Sequence, residues 1–236
     1  MASMSGSAVL EKAVRTVAVL APLALASGCM TATLEENRNL DTKIAEGEAV
    51  VLLAKPHVEG TSAEDDFMDC VGSKMAGRAG IRVQPNNDFQ DSMFPWFEPS
   101  TAPQRPEGVA QLLAKPAVRQ RMEENGVRYI VWVDGLTRQT DSGGSISCAI
   151  GPGGGGCIGF GWWEKESDYD AIVWDLEEAK SAGSVSTNVT GTSALVGAIV
   201  PLPFIARVQG TACDRLAEQL GAFLHGQDAS VAPAGT

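Results

Sequence analysis

Histidine is scarce in this sequence, with two residues in 236, and positive charge is limited. Two histidines leave little room for histidine-based catalysis or for a histidine-rich metal site. Lysine and arginine total 18 against 29 aspartates and glutamates, which gives a formal net charge of −11. This balance argues against nucleic acid as a partner, because binding to phosphates requires clustered lysine and arginine.

Long apolar runs are also lacking, since no run reaches the roughly 20 residues that a membrane-spanning helix needs. The two best candidates are Thr16 to Ala26, near the N-terminus, and Ala194 to Ala206, which is interrupted by Pro201 and Pro203. Hydrophobic residues nevertheless make up 44% of the chain and charged residues only 20%, so a core can be buried. The length suits one globular domain with additional chain at its ends.

Residues 1–28 have the features of an export signal. Lys12 and Arg15 give a positively charged start, and the apolar stretch of eleven residues from Thr16 to Ala26 follows. A stretch of this length is typical of a signal peptide. The run Leu25-Ala26-Ser27-Gly28-Cys29 then resembles the bacterial lipobox, in which small residues precede a cysteine that is lipidated and becomes the mature N-terminus. The alternative is an ordinary secretory signal followed by an unmodified cysteine.

The lipobox resemblance implies a diacylglyceryl group on Cys29, together with an amide-linked acyl chain such as palmitate, and we expect no other cofactor. Two or more acyl chains hold a protein stably on a membrane, because each buried methylene contributes about 0.8 kcal/mol. Met30 follows the cysteine in place of the aspartate that retains enteric lipoproteins in the inner membrane. We therefore expect an anchor in the outer membrane, with the protein facing the periplasm.

Four cysteines remain once Cys29 is assigned to the lipid, namely Cys70, Cys148, Cys157 and Cys213. In an oxidising periplasm they favour two disulfides, with three possible connectivities. Cys148 and Cys157 flank a glycine-rich turn, whereas Cys70 and Cys213 would lie on two helices that could be bridged if both cover one sheet face. A four-thiolate zinc site is less favoured because the sequence has no CxxC pair. Buried free thiols are the remaining alternative.

The rest of the chain predicts alternating strands and helices. Residues 29–47 are interpreted as a polar tether with a helical tendency near its end, residues 48–225 as one periplasmic domain, and residues 226–236 as a disordered tail. Strands are predicted at 48–54, 81–84, 127–133, 169–176 and 185–192, and helices at 63–76, 107–125 and 204–224. Pro116 either kinks the second helix or begins a new one. This order predicts an α/β or α+β fold, in which helices pack against a single mixed sheet.

Residues 142–163 are the most unusual segment, because a glycine-rich run separates two alternating apolar runs. The alternating residues are Ile146, Cys148 and Ile150 before the glycines and Ile158, Phe160 and Trp162 after them. A period of two predicts a β-hairpin with one apolar face. That face either packs on its own domain or presents Ile158, Phe160, Trp162 and Trp163 to a partner or a bilayer. The run also matches G-x-G-x-x-G, but the strand–turn–helix context and the lysine of a nucleotide site are missing.

Three features occur in a defined order: the run from Gly126 to Val131, the glycine-rich hairpin, and the strand from Tyr169 to Leu176 with its Gly183 turn. Together they resemble the curli-export channel lipoproteins and the periplasmic activators of peptidoglycan synthases, over roughly residues 48–225. The resemblance implies a lipid-anchored α/β domain of the TolB-amino-domain kind that works through protein contacts rather than catalysis. In the curli channel, hairpins from equivalent places enter the outer membrane. Here the hairpin strands are expected to have about seven to nine residues, whereas spanning takes about 9–11.

No catalytic constellation emerges from the sequence. Neither Gly143-Gly144-Ser145-Ile146-Ser147 nor Gly191-Thr192-Ser193-Ala194-Leu195 satisfies the G-x-S-x-G pattern of a serine nucleophile elbow. His57 could act as a base, but nothing places a nucleophile near it, and His225 lies at a predicted helix end where a cation suits the helix dipole. We therefore expect neither an enzyme nor a metal site.

The favoured function is a lipid-anchored binding or assembly module with an envelope protein partner, and homo-oligomerisation is left open. The alternative is an oligomeric outer-membrane secretion-channel component of the curli-export type. An envelope hydrolase is a third and less favoured interpretation.

Overall fold

The computed structural model describes residues 30–55, 63–98, 101–103, 106–151, 154–197 and 201–227. The chain divides into two compact units. Among the described residues, unit 1 comprises Met30, Gln139–Lys165 and Gly191–Ala206, and unit 2 comprises the others. The predicted signal peptide, His57 and nearly all of the predicted tail lie outside the described residues.

Seven strands in the described part of the chain form one mixed sheet. They are β1 (Met30–Arg38), β2 (Ala49–Ala54), β3 (Arg82–Gln84), β4 (Val127–Gly151), β5 (Gly154–Asp175), β6 (Lys180–Gly197) and β7 (Pro201–Phe204). Their order is β1-β6-β5-β4-β2-β3, and β7 pairs with β6. β2 runs parallel to β3 and β4, whereas β7 runs antiparallel to β6. The prediction of an α/β fold with a mixed sheet is confirmed.

The described helices are α1 (Asp65–Ala79), α2 (Asn86–Ser92), α3 (Pro106–Leu113), α4 (Pro116–Asn125) and α5 (Val208–Leu224). Pro116 occupies the first turn of α4, so the proline begins a second helix rather than kinking one. α1 extends three residues beyond the predicted end at residue 76, and Gly80, whose φ is 66°, forms its left-handed C-cap. α5 begins after Phe204, because that residue belongs to β7.

Unit 2 buries both faces of its central strands. All residues from Tyr129 to Val133 of β4 are buried, as expected where layers cover both sides of a sheet. On one face, Ile130 and Trp132 belong to a core cluster with residues of α2, α3 and α4. On the other face, the Tyr169 ring of β5 stacks on Phe67 of α1, with the ring centroids 3.5 Å apart.

A disulfide between Cys70 and Cys213 joins α1 to α5, with the two Cα atoms 6.2 Å apart. This is the pair that the sequence places on two helices. Beside it, the ammonium of Lys74 and the guanidinium of Arg78 lie 2.7 and 3.1 Å from the Asp214 carboxylate. The two helices are therefore linked by a covalent bond and by ion pairs across their contact.

Residues 30–38, which belong to the segment interpreted as a polar tether, form strand β1. β1 lies at the edge of the sheet beside β6, and its first six residues are exposed. The guanidinium of Arg38 fixes its end by donating to the carbonyl oxygen of Phe223 at 3.0 Å and to the hydroxyl of Thr42 at 3.1 Å. An edge strand satisfies its backbone through one neighbour and tolerates polar side chains, so the residues themselves do not predict it. Residues 39–47, where the sequence suggests a helical tendency, contain no helix.

Residues 86–106, which lie between a predicted strand and a predicted helix, contain α2 and the beginning of α3. Phe89, Met93 and Phe97 are buried in the core of unit 2, and the rings of Phe89 and Phe97 meet edge to face at 4.9 Å. Phe94 instead points outward and is 63% exposed. This segment therefore contributes two aromatic rings to the core and leaves one ring on the surface of unit 2.

Candidate interaction surface

The glycine-rich segment joins β4 to β5, and both strands are much longer than the sequence suggests. β4 has 25 residues and β5 has 22, against the about seven to nine expected from the apolar alternation. Residues 139–151 of β4 and 154–165 of β5 belong to unit 1. The sequence-based length is wrong because residues 137–145 are mostly polar or glycine, and they are held extended by the neighbouring strand rather than by a buried face.

Unit 1 exposes large apolar side chains. They are Ile150, Ile158, Phe160, Val196 and Ile205, with exposed fractions from 50% for Val196 to 93% for Ile150; we call these five residues the apolar set. Ile158 and Phe160 are two residues apart on β5, so both side chains leave the same face of the strand. Exposed apolar side chains that share a surface are typical of sites of contact with another molecule, so this set is the candidate interaction surface.

The tryptophans of the hairpin are less accessible than the apolar set. Trp162 and Trp163 are half-buried. A Cβ added to Gly143 would lie 3.0 Å from Nε1 of Trp162, so the indole rests on the backbone of β4 where glycine leaves room. Of the four predicted contact residues, Ile158 and Phe160 are thus the exposed pair, whereas Trp162 packs against its own hairpin.

Two further observations concern the hairpin, at Gly144 and at Cys148. Gly144 has a φ of 148°, and a Cβ there would lie 2.4 Å from the carbonyl oxygen of Phe160, so β4 and β5 approach closely only because this residue is glycine. Cys148 is disulfide-bonded. The side chain of Cys157 lies outside the described residues, and the pairing of Cys148 with Cys157 stays a prediction.

Unit 2 contains a cleft of about 540 Å³ at the beginning of β4. Its lining mixes apolar and charged side chains, among them Leu113, Met122, Val127, Leu176, Glu48, Arg119, Glu123, Arg128 and Glu177. Arg128 donates to both carboxylate oxygens of Asp175, at 2.5 and 2.8 Å, and lies 2.9 Å from Glu177. Arg119 donates to the carbonyl oxygen of Leu113. These guanidinium groups therefore hold the walls of the cleft in place.

The sequence did not single out the Arg128–Asp175 pair, because the two residues are far apart in the chain. Asp175 Oδ1 also accepts the backbone N–H groups of Glu177 and Glu178, each at 2.9 Å, and so shapes the turn that leads into β6. Ala179 completes this turn with a φ of 51°, a conformation that favours glycine. The one sequence signal for this turn was Asp175 itself, since an aspartate near the end of a predicted strand often accepts backbone N–H groups of the turn that follows.

A buried hydrogen-bond network joins α1 to the middle of β4 and β5 in unit 2. Glu64 accepts the hydroxyl of Tyr169 at 2.5 Å and the N–H of Thr137 at 3.1 Å. The hydroxyl of Thr137 also lies 2.6 Å from that of Ser167. Burial, followed by the bond to Glu64, raises the pKa of Tyr169 well above its usual value. Tyr169 therefore remains a hydrogen-bond donor that seats α1, not a proton-transfer group.

Carboxylates also gather on the sheet of unit 2, at Asp134, Asp168 and Asp170. Burial raises the pKa of Asp170 above its usual value, and the charges of Asp168 and Asp134 raise it further. Lys55 lies 3.2 Å from Asp134. In the part of the chain that the structure describes, no group of three histidine, cysteine, aspartate or glutamate side chains could hold a metal ion.

The remaining residues considered from the sequence do not form a reactive site with these groups. His225 follows α5, and its Nε2 lies 2.9 Å from the carbonyl oxygen of Ala79. Ser193 is buried, and its hydroxyl accepts the N–H of Ala206 at 3.0 Å. Of the helices described, none is both long enough and apolar enough to cross a bilayer.

Comparison with known proteins gives a likeness in structure alone. No family model matches the sequence, and no curated protein matches it. Similar solved structures include a PelC dodecamer from Paraburkholderia phytofirmans, which is 12% identical, covers 82% of this chain and 98% of its own, and has a TM-score of 0.43. A variant of the same dodecamer has the same identity and coverage, with a TM-score of 0.42. Similarity at this level assigns neither a family nor a function to the chain.

Proposed function

We propose that this protein is a lipid-anchored component of the bacterial envelope that works by assembling with further copies of itself. The observation that carries the proposal is the open edge of β4 in unit 1. β4 has only β5 and β2 as neighbours in the sheet, and its pairing with β2 ends at Ala54 opposite Val133. Within the described chain, residues 139–151 thus have a strand on one side only.

An open edge of this length can accept another strand. The carbonyl oxygen of Val133 accepts the N–H of Lys55 at 2.9 Å, and the N–H of Thr137 donates to Glu64, so both backbone groups lie on the side of β4 away from β5. Because peptide groups alternate in direction along a strand, the N–H groups of Gln139 and Asp141 face the same open side. These N–H groups can donate to a strand of a second copy.

A secretion-channel component is the more specific version of this proposal. It is favoured by the lengths of the hairpin strands in unit 1, since residues 139–151 of β4 and 154–165 of β5 match the about 9–11 residues that span a bilayer or exceed them. In this version, several copies combine their hairpins around a pore.

The assembly proposal is tested with Gln139→Pro in the purified lipidated protein. Proline removes one edge N–H, and Gln139→Ala is the matched control because it keeps that group. We expect association between copies, measured by mass photometry over a dilution series, to weaken about two- to tenfold for the proline variant, since one hydrogen bond contributes roughly 0.5–1.5 kcal/mol net. Unchanged association of a proline variant with a wild-type melting temperature would exclude the β4 edge.

The channel version has its own test in planar bilayers. The variant replaces residues 149–156 with a two-residue Asn-Gly turn and keeps Cys148 and Cys157. Wild-type oligomers should give stepwise conductance, and the shortened hairpin should lower or abolish it. Assembled wild-type protein that gives no conductance would reject the channel and leave the assembly proposal intact.

A further inference from the structure

We infer that the lipid on Cys29 holds unit 1 directly against the bilayer, with no spacer, so that the apolar set contacts lipid. The inference rests on the lipid anchor of the proposed function and names the partner of the exposed side chains. It is independent of the β4 edge, because backbone groups along an edge and side chains on a strand face point in different directions.

The first step is the position of β1. Met30 is the first residue of β1, which lies beside β6 in the sheet, and Met30 directly follows Cys29. Consecutive Cα atoms lie about 3.8 Å apart, so the lipidated residue is one step from the sheet. A flexible tether formed by residues 30–47 would instead allow a separation of roughly 60 Å when extended. The strand removes that freedom.

The second step is the unit to which this strand end belongs. Met30 is part of unit 1, together with residues 139–165 and 191–206. The same unit contains the whole apolar set, and Met30 is itself 45% exposed. Met30, which the lipid would hold at the membrane, and the apolar set, which would be stabilised by leaving water, thus belong to one compact unit.

The third step is the charge of unit 1. The segments 139–165 and 191–206 contain only three charged residues, Asp141, Glu164 and Lys165, in a chain whose charged fraction is 20%. Burying a charge near lipid is costly, so a surface made of glycine, small polar residues and apolar side chains meets a bilayer at low cost. In the sequence, Asp141 and Lys165 lie near the two ends of segment 139–165, whereas Ile150 and Ile158 lie on either side of its glycine-rich middle.

A tryptophan placed in the apolar set tests this inference. Ile158→Trp reports on unit 1, and Phe94→Trp is the matched control on unit 2, since the two native side chains are 67% and 63% exposed. The lipidated chain is reconstituted in phosphatidylethanolamine–phosphatidylglycerol vesicles with and without brominated acyl chains. Fluorescence is compared with that of the wild type, and bromine quenches only tryptophans that contact the acyl region.

We expect the added fluorescence of I158W to be quenched at least threefold more than that of F94W. Equal quenching of the two probes would overturn the inference. The lipid anchor itself is checked by flotation of the same samples against Cys29→Ser. Wild-type protein that fails to float would reject the anchor, whereas floating protein with an unquenched I158W probe rejects only the lipid contact. In that second result, crosslinking between copies at position 158 would identify another copy as the occupant.

Discussion

Replacing Cys70 and Cys213 together by alanine tests how far one covalent link stabilises unit 2. The two cysteines are 143 residues apart in sequence, so the disulfide closes a long loop in the unfolded chain. In the chain-entropy account, a loop of this length destabilises the unfolded state by roughly 5 kcal/mol at 25 °C. Strain and residual structure in unfolded chains lower such values, and observed losses are about 2–5 kcal/mol.

The contacts around the disulfide decide how much of its contribution to the free energy of unfolding the double variant loses. Cys213 is 1% exposed, and alanine there leaves only a small void. The ion pairs of Asp214 with Lys74 and Arg78 remain in the variant, but their side chains are 35–60% exposed and contribute less than about 1 kcal/mol. We therefore expect a loss of about 3–4 kcal/mol in the free energy of unfolding.

The assay is equilibrium urea unfolding, followed by tryptophan fluorescence and far-ultraviolet circular dichroism. Wild-type protein, the double alanine variant and reduced wild-type protein are compared. Reduction also breaks the disulfide of Cys148, so reduced wild type is compared with the reduced double variant, and the two should unfold at a similar urea concentration because both lack the same links. A loss below about 1 kcal/mol would refute the reasoning, since packing of α1 on α5 would then restrain the chain as well as the disulfide does.

Three further outcomes follow from unit 2. Arg128→Leu leaves the Asp175 carboxylate, whose side chain is 2% exposed, without its cation, and thermal melts should show a loss of about 3 kcal/mol. Arg128→Lys restores the charge but not the paired donors and should recover only part of this loss, whereas full recovery would contradict the bidentate role. Ala179→Gly relieves a left-handed backbone conformation that costs alanine about 1–2 kcal/mol, and greater freedom of the unfolded chain offsets part of this gain. Urea unfolding should therefore show a gain of about 0.5–1 kcal/mol in the free energy of unfolding. A loss would mean that packing of the Ala179 methyl group stabilises the fold by more than the backbone strain costs. Because the folded state raises the pKa of Asp170, protonation at this site stabilises the fold at low pH, and that contribution is lost as pH rises through the raised pKa. Asp170→Asn should therefore stabilise the protein at pH 7 and have little effect below about pH 3.5, and an equal effect at both pH values would exclude the titration.

Strands with their own apolar pattern were predictable. Tyr129 to Val133 is buried on both faces, and an apolar run of this kind indicates a central strand whatever surrounds it. Pro116 similarly indicated either a kink or a helix start, because its ring fixes φ and its nitrogen carries no hydrogen, and the structure has a helix start. The lipobox-like run before Cys29 is a covalent signal that the sequence carries directly, and its modification stays a prediction.

Strands that depend on a neighbour were not predictable. Met30 to Arg38 has no buried apolar face, and its extended conformation depends on β6 beside it. The polar and glycine-rich residues of β4 between Thr137 and Ser145 are strand for the same reason. The pairing of Arg128 with Asp175 was likewise not predictable, because the two residues lie on different strands and are far apart in the chain.

The sequence by itself determined the mixed α/β architecture and the apolar alternation of the hairpin, and it predicts the export signal, because each of these is encoded by residues close together in the chain. Only the tertiary structure decided the lengths of β4 and β5, the formation of the edge strand that begins next to Cys29, and the presence of Met30 and the apolar set in the same unit. Those features depend on which strands lie side by side, and backbone hydrogen bonds between distant segments leave no local pattern in the residues that make them.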